Sequence, residues 1–257
     1  LRALGILIVL YVLLLVSFYF FISTREATVW QVLVTYALLL LLPAEFFVLQ
    51  AAILEFARAR KFAVKNILVS AGKIAAVTIP VLIIGVLLWW LMNKLQARFP
   101  APLVFPETPP KAPPTHWPTL LISTLRFVLF GVALPLATIH LWIEASVCDV
   151  RASFAGGAKT IFGTIGRTLA RAFSSESVFV YGLGLILFVL GPYLLLLPRL
   201  TFTGTKTAFA LFVVQVIVAL VLMLIGWVVT LVTLVRARAS EAPIEVKAPA
   251  TVAESPA

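Results

Sequence analysis

Six runs of apolar residues, each about as long as a bilayer is thick, limit this chain to very few folds. They lie at roughly 3–22, 29–55, 74–92, 119–146, 178–197 and 208–235. A helix needs about 20 mainly apolar residues to cross about 30 Å of hydrocarbon. Lipid offers no partner to a free backbone amide, so each run must be helical. The alternating strands of about ten residues that build a membrane barrel are absent. The expected fold is therefore all-α: a polytopic bundle of six spans forming one membrane domain over 1–235. Composition agrees. Hydrophobic residues make up 62% of the chain and charged ones 12%, against about 45–50% and 25% in soluble domains. The first run outlasts the 7–15 residues of a signal-peptide core and no A-x-A site follows it, so it is read as a span.

The net charge of +10 would suggest nucleic acid in a soluble protein. Here the cations sit at span ends and in connections, so no nucleic-acid partner is expected. Thirteen of the twenty Lys and Arg fall on the side holding the N-terminus, 56–73, 147–177 and the C-terminal tail. Six fall on the other side, and Arg126 lies within a span. The positive-inside rule makes the richer side cytoplasmic and puts both termini there. A bacterial-type inner (plasma) membrane is the expected location. Residues 18–21 (FYFF), Trp30, Trp89, Trp90 and Trp117 all fall at outer span ends, where amphipathic rings favour the headgroup layer.

The connections differ in character. The outer loop 99–118 has eight prolines in twenty residues, which favours an extended polyproline II spacer. The tail 236–257 lacks the apolar residues to pack and is expected to be disordered. In 151–173, Phe154, Ala158, Ile161, Phe162, Ile165, Leu169 and Phe173 recur with helical period. Lys159, Arg167 and Arg171 occupy the other face. This pattern predicts an amphipathic helix under the cytoplasmic leaflet, its cations meeting anionic headgroups or a partner. Segment 56–73 repeats it more weakly. A plan of span, basic amphipathic helix, span thus occurs at 29–92 and at 119–197, with Leu42-Pro43 matched by Leu134-Pro135 and Glu55 by Glu144. Residues 144–188, EASVCDVRASFAGGAKTIFGTIGRTLARAFSSESVFVYGLGLILF, carry a layout that resembles poorly characterised bacterial multi-pass families, including the glycerophosphodiesterase membrane-domain type. The resemblance implies a multi-pass membrane protein and no catalytic chemistry.

Known motifs are absent. Lys159-Thr160 and Lys206-Thr207 lack the glycine that a phosphate loop needs just before its lysine. Neither H-E-x-x-H nor G-x-S-x-G occurs. A single cysteine, Cys148, and two distant histidines, His116 and His140, give no basis for a disulfide or a metal site, and no cofactor is expected. His140, Glu144 and Cys148 share a helix face by their spacing of four. Counted from residue 119 at 1.5 Å per residue, Glu144 lies about 37 Å down, which reads as a hydrated helix end more than as a metal or proton site. Glu45 is the sharper anomaly, about 24 Å into its span. A carboxyl group there must be protonated, paired or turned to a cavity. His140, on a helix running the same way and about 7 Å deeper by the same count, is its candidate partner, with Glu144 as a polar group at the inner end. Arg126 is shallow enough to snorkel outward. Prolines 43, 80, 135 and 192 lie inside spans, which membrane bundles tolerate.

Three functions remain open. The first is a non-enzymatic inner-membrane protein that scaffolds, assembles or modulates lipid, a membrane-protein partner or its own copies. The second is a small transporter or transporter subunit using Glu45, His140 and Glu144. The third, a lipid-modifying enzyme, needs a convergent acidic or histidine cluster that the sequence does not display.

Overall fold

A computed structural model describes residues 2–25, 28–59, 63–100, 116–147, 157–197 and 205–241. Among these the regular structure is helical, with no strand. Six helices are long and apolar enough to cross a membrane: Ala3–Ser23, Val29–Arg58, Val64–Arg98, Trp117–Ser146, Ser175–Leu196 and Lys206–Arg238. The chain is thus an all-α bundle with the architecture of a multi-pass membrane protein. These helices are called the first to sixth spans. A seventh helix, Gly157–Ala172, connects the fourth span to the fifth.

Two boundaries differ from the sequence reading. The amphipathic segment 56–73 is not a separate interfacial helix. Its first residues finish the second span, and Val64 onward opens a helix continuous to Arg98. Nothing between 64 and 74 stops a helix, and Ile67, Ser70, Ala71 and Ile74 are buried on one side of it. The tail expected from 236 also starts later, because the last helix runs on to Glu241. Its Arg-Ala-Arg-Ala-Ser-Glu sequence favours helix, and Arg238 gains an ion pair there. The tail beyond 241, most of the proline-rich loop (101–115) and residues 148–156 lie outside the described residues.

The packing order is a ring. The second span packs on the third, the third on the fourth and the sixth on the second, while the fifth packs against the sixth and touches the fourth. The first span lies against the second and reaches the sixth through Tyr11, whose hydroxyl donates to the Leu220 carbonyl at 3.3 Å. Buried side chains concentrate at the basic end. They run over Leu49–Leu54 on the second span, Ile67–Ile74 on the third, Leu136–Ile143 on the fourth and Leu231–Val235 on the sixth. Lipid is as apolar as leucine, so close packing and hydrogen bonds between helices must hold such a bundle. Trp142 Nε1 donates to Thr78 Oγ1 at 2.8 Å, and Trp227 Nε1 donates to Gln50 Oε1 at 2.8 Å. These bonds tie the fourth span to the third and the sixth to the second.

Two of the four prolines distort their helices in the same way. A proline has no amide to give the carbonyl four residues back, and its ring crowds that carbonyl. Just before Pro135 the chain forms a π-helical segment, Val128–Ala133, and Leu134 N–H bonds back to the Leu129 carbonyl. Just before Pro192 it forms another, Ile186–Leu190, with Gly191 N–H on the Ile186 carbonyl. The carbonyl that Pro135 leaves free is that of Gly131. Tyr181 on the fifth span fills the vacancy, its hydroxyl donating to Gly131 O at 3.1 Å. The proline defect in one span thereby becomes a bond to the next.

The fifth and sixth spans approach closely at two glycines. A Cβ on Gly184 would stand 2.3 Å from Thr230 Oγ1 and 2.8 Å from its Cγ2. A Cβ on Gly226 would meet the Cβ atoms of Leu187 and Phe188 and the backbone nitrogen of Phe188, each at 3.0 Å. Small residues at these points let the two backbones approach.

Candidate functional site

The charged and polar side chains of four helices converge at the basic end. Arg58, near the end of the second span, crosses to the fourth. Its Nη1 donates to the Ser146 carbonyl at 2.9 Å and its Nη2 to the Ile143 carbonyl at 2.8 Å and to Ser146 Oγ. The last carbonyls of a helix have no partner within it and carry its negative dipole end. Arg58 therefore caps the fourth span from a neighbouring helix. The charges that act on Arg58 most are Glu55, then Arg238 and Glu144. Glu144 pairs with Arg238 on the sixth span, with side chains 18% and 23% exposed. Glu55 accepts from Ser70 Oγ on the third span at 3.3 Å. Two arginines and two glutamates thus hold the second, third, fourth and sixth spans together at one level.

A chain of hydrogen bonds adjoins this clamp. His140 is buried, with Nδ1 3.0 Å from the Leu136 carbonyl and Nε2 3.2 Å from Ser177 Oγ on the fifth span. A carbonyl can only accept, so Nδ1 carries the hydrogen. In the neutral ring Nε2 then accepts from the Ser177 hydroxyl. Ser177 Oγ in turn accepts from Ser174 Oγ at 3.0 Å. Ser174 caps the fifth span by accepting from Ser177 N–H, as its residue type favours.

The connecting helix packs over these groups. It buries Thr168 and Ala172 against the bundle and leaves Arg167 and Arg171 exposed. His140, Glu144, Thr168, Arg171, Glu176, Ser177 and Arg238 line a cavity of about 20 Å³ beneath it. That volume suits one water molecule. Lys159 belongs to the same helix, but its side chain lies outside the described ones.

The sequence-selected residues divide between two places. His140, Glu144 and Arg171 meet at this cavity, with Arg167 on the helix above it. Cys148 lies outside the described residues. Glu45 sits elsewhere. Its Oε1 accepts from Ser17 Oγ on the first span at 3.0 Å, and its Oε2 is enclosed without a hydrogen-bond partner. The proposed Glu45–His140 pair is thus replaced by a separate bond for each: Glu45 with Ser17, His140 with Ser177. Depth separates them: Glu45 is rooted about 20 Å from the Arg58 end of its span, whereas His140 is rooted about 9 Å from the Ser146 end and Ser177 about 3 Å from the Ser175 end. Among the described residues no three His, Cys, Asp or Glu come together as a metal would require.

Sequence reasoning missed Arg238, which it assigned to the tail, and Arg58 as a helix cap. The spacing Arg236–Arg238 just beyond an apolar run was the available signal. No protein-family model, curated protein or solved structure matches the chain.

Proposed function

We propose that this is a multi-pass protein of a bacterial-type inner membrane that scaffolds or modulates lipid and membrane-protein partners. Both termini and the ion-paired end face the cytoplasm. The basic connecting helix is its working surface, on the cytoplasmic leaflet. The observation that supports this reading is how that helix sits: Thr168 and Ala172 are buried against the bundle while Arg167 and Arg171 are exposed, Arg171 also bordering the cavity beneath the helix. A cation near an anionic membrane surface contributes about 1 kcal/mol. Three such residues, Lys159, Arg167 and Arg171, suffice to enrich anionic lipid locally.

The test uses the native Cys148, carrying a fluorescent donor, in nanodiscs with headgroup-labelled acceptors. Wild-type protein is expected to enrich phosphatidylglycerol over phosphatidylcholine about threefold or more near the donor. Lys159→Ala/Arg167→Ala/Arg171→Ala is expected to bring the two lipids to parity. Enrichment that survives the triple substitution counts against the proposal.

The transporter reading keeps one specific support, the enclosed Oε2 of Glu45 between the first two spans. Proton-driven flux in proteoliposomes that vanishes in Glu45→Gln would favour it instead. The enzyme reading has a polar cluster at the basic end, but a cavity of about 20 Å³ has no room for a lipid ester.

A further inference from the structure

At the end of the bundle opposite the ion clamp, Arg126 holds a charge that none of its partners among the described residues neutralises. Its Nη2 donates to Asn93 Oδ1 at 3.0 Å and to Gln96 Oε1 at 2.9 Å, both on the third span. Its guanidinium lies over the Trp89 ring, 4.9 Å from the centroid. These partners are two neutral amides and an aromatic face. The Nε is enclosed and makes no hydrogen bond, and both recorded bonds leave from Nη2. Lys94, next to Asn93 on the third span, adds a second cation, which lies over the Trp90 ring at 5.8 Å.

Depth identifies what supplies the missing charge. The fourth span has 30 residues, about 45 Å at 1.5 Å per residue, which matches a bilayer with its headgroup layers. Arg126 is rooted about 14 Å from Trp117 by the same count. Helical side chains lean toward the N-terminus of their helix, which here is the membrane surface. The guanidinium accordingly meets Asn93 and Gln96, rooted about 8 Å and about 3 Å from the Arg98 end of their helix. That level is the boundary between hydrocarbon and headgroups, where glycerol and phosphate lie. An uncompensated cation is costly in hydrocarbon. With both Nη2 hydrogens on the two amides and Nε enclosed, Nη1 keeps two N–H donors for a phosphate oxygen, a charge-assisted bond. Tryptophans flanking it suit the same layer.

We propose that Arg126, oriented by Asn93 and Gln96 and flanked by Lys94, binds the phosphodiester of a phospholipid in the leaflet at this end. The site is independent of the connecting helix and of the function proposed above.

The test titrates the full-length protein in detergent with phosphatidylglycerol, counting bound lipid by native mass spectrometry. The background is Lys159→Ala/Arg167→Ala/Arg171→Ala, so that lipid held at the basic end does not contribute. Arg126→Gln is expected to weaken binding at least fivefold, and Arg126→Lys, which keeps the charge and loses the planar group that Asn93 and Gln96 orient, about two- to threefold. Diacylglycerol, which lacks the phosphate, is expected to bind no better than phosphatidylglycerol does to Arg126→Gln. Millimolar inorganic phosphate is expected to leave the lipid bound. Unchanged affinity in Arg126→Gln overturns the proposal, as does diacylglycerol binding as tightly as the phospholipid. Displacement by inorganic phosphate overturns the lipid as the ligand. If Arg126→Gln does not fold, unchanged affinity in Arg126→Lys is the overturning result.

Discussion

Gly184→Ala will destabilise the bundle by about 3 kcal/mol, the upper part of the range for overpacking a close contact. The new Cβ would lie 2.3 Å from Thr230 Oγ1 and 2.8 Å from Thr230 Cγ2. Thr230 cannot simply rotate away, because its β-branched side chain is stiff and its hydroxyl is held on the Gly226 carbonyl at 2.7 Å. The fifth and sixth spans must separate, or the helices must slide. The same contact predicts its own rescue. Thr230→Ala removes both offending atoms, leaving Thr230 Cβ at 3.1 Å. Gly184→Ala/Thr230→Ala should therefore recover most of the loss, a coupling opposite in sign to simple addition. Gly226→Ala should behave differently. Its new Cβ would meet two Cβ atoms and a backbone nitrogen, which no alanine substitution trims, so no such partner should restore it. Thermal unfolding in detergent of the three single variants and the double variant checks the scheme. A double variant no more stable than Gly184→Ala alone would remove the contact as the cause.

The second large effect is expected at the ion clamp. Removing one partner of a buried ion pair costs about 3–5 kcal/mol. Glu144 and Arg238 keep 18% and 23% exposure, so solvent screening lowers the expected cost of Arg238→Gln to about 2 kcal/mol. Glu144→Gln should cost a similar amount, and the double variant less than the sum of the two. Arg58→Gln should also cost about 2 kcal/mol, because charge-assisted bonds to the carbonyls of Ile143 and Ser146 are lost. High salt should weaken the Glu144–Arg238 coupling more than the Arg58 effect, since charges near water are screened while a capped helix end is partly sheltered. Denaturant unfolding at two ionic strengths measures both. Equal salt dependence would contradict this division of roles.

Much of the fold was legible because membrane crossing is a property of single helices. Length and apolarity located all six spans, and the largest boundary error, at 64–73, arose where an amphipathic stretch is compatible with either a surface helix or the extension of a span. What hydropathy could not show is which helix faces which. Glu45 and His140 were paired from counts along separate spans, yet Ser17 and Ser177 are their partners, because such counts do not fix the register in which two helices pack. The glycine contacts at 184 and 226 were equally hidden, since a glycine in a span reads the same whether it faces lipid or a neighbouring backbone. The prolines were visible, but the bond from Tyr181 to Gly131 exists only once the fifth span lies beside the fourth. At the basic end, the sequence marks Glu144 as a polar group near the end of its span without showing that Arg238 pairs with it. Arg238 escaped notice because a cation after an apolar run is ordinarily solvated.

The central claim is a bundle threaded through a membrane with its ion-paired end in the cytoplasm. Its most direct test is cysteine labelling in intact cells with a membrane-impermeant maleimide. The native chain carries one cysteine, Cys148, between the fourth and fifth spans, and Thr108→Cys in a Cys148→Ser background reports the connection between the third and fourth. The account predicts that Thr108→Cys reacts in intact cells and that Cys148 reacts only after the membrane is opened. The reverse pattern, or equal reaction of both, would contradict it.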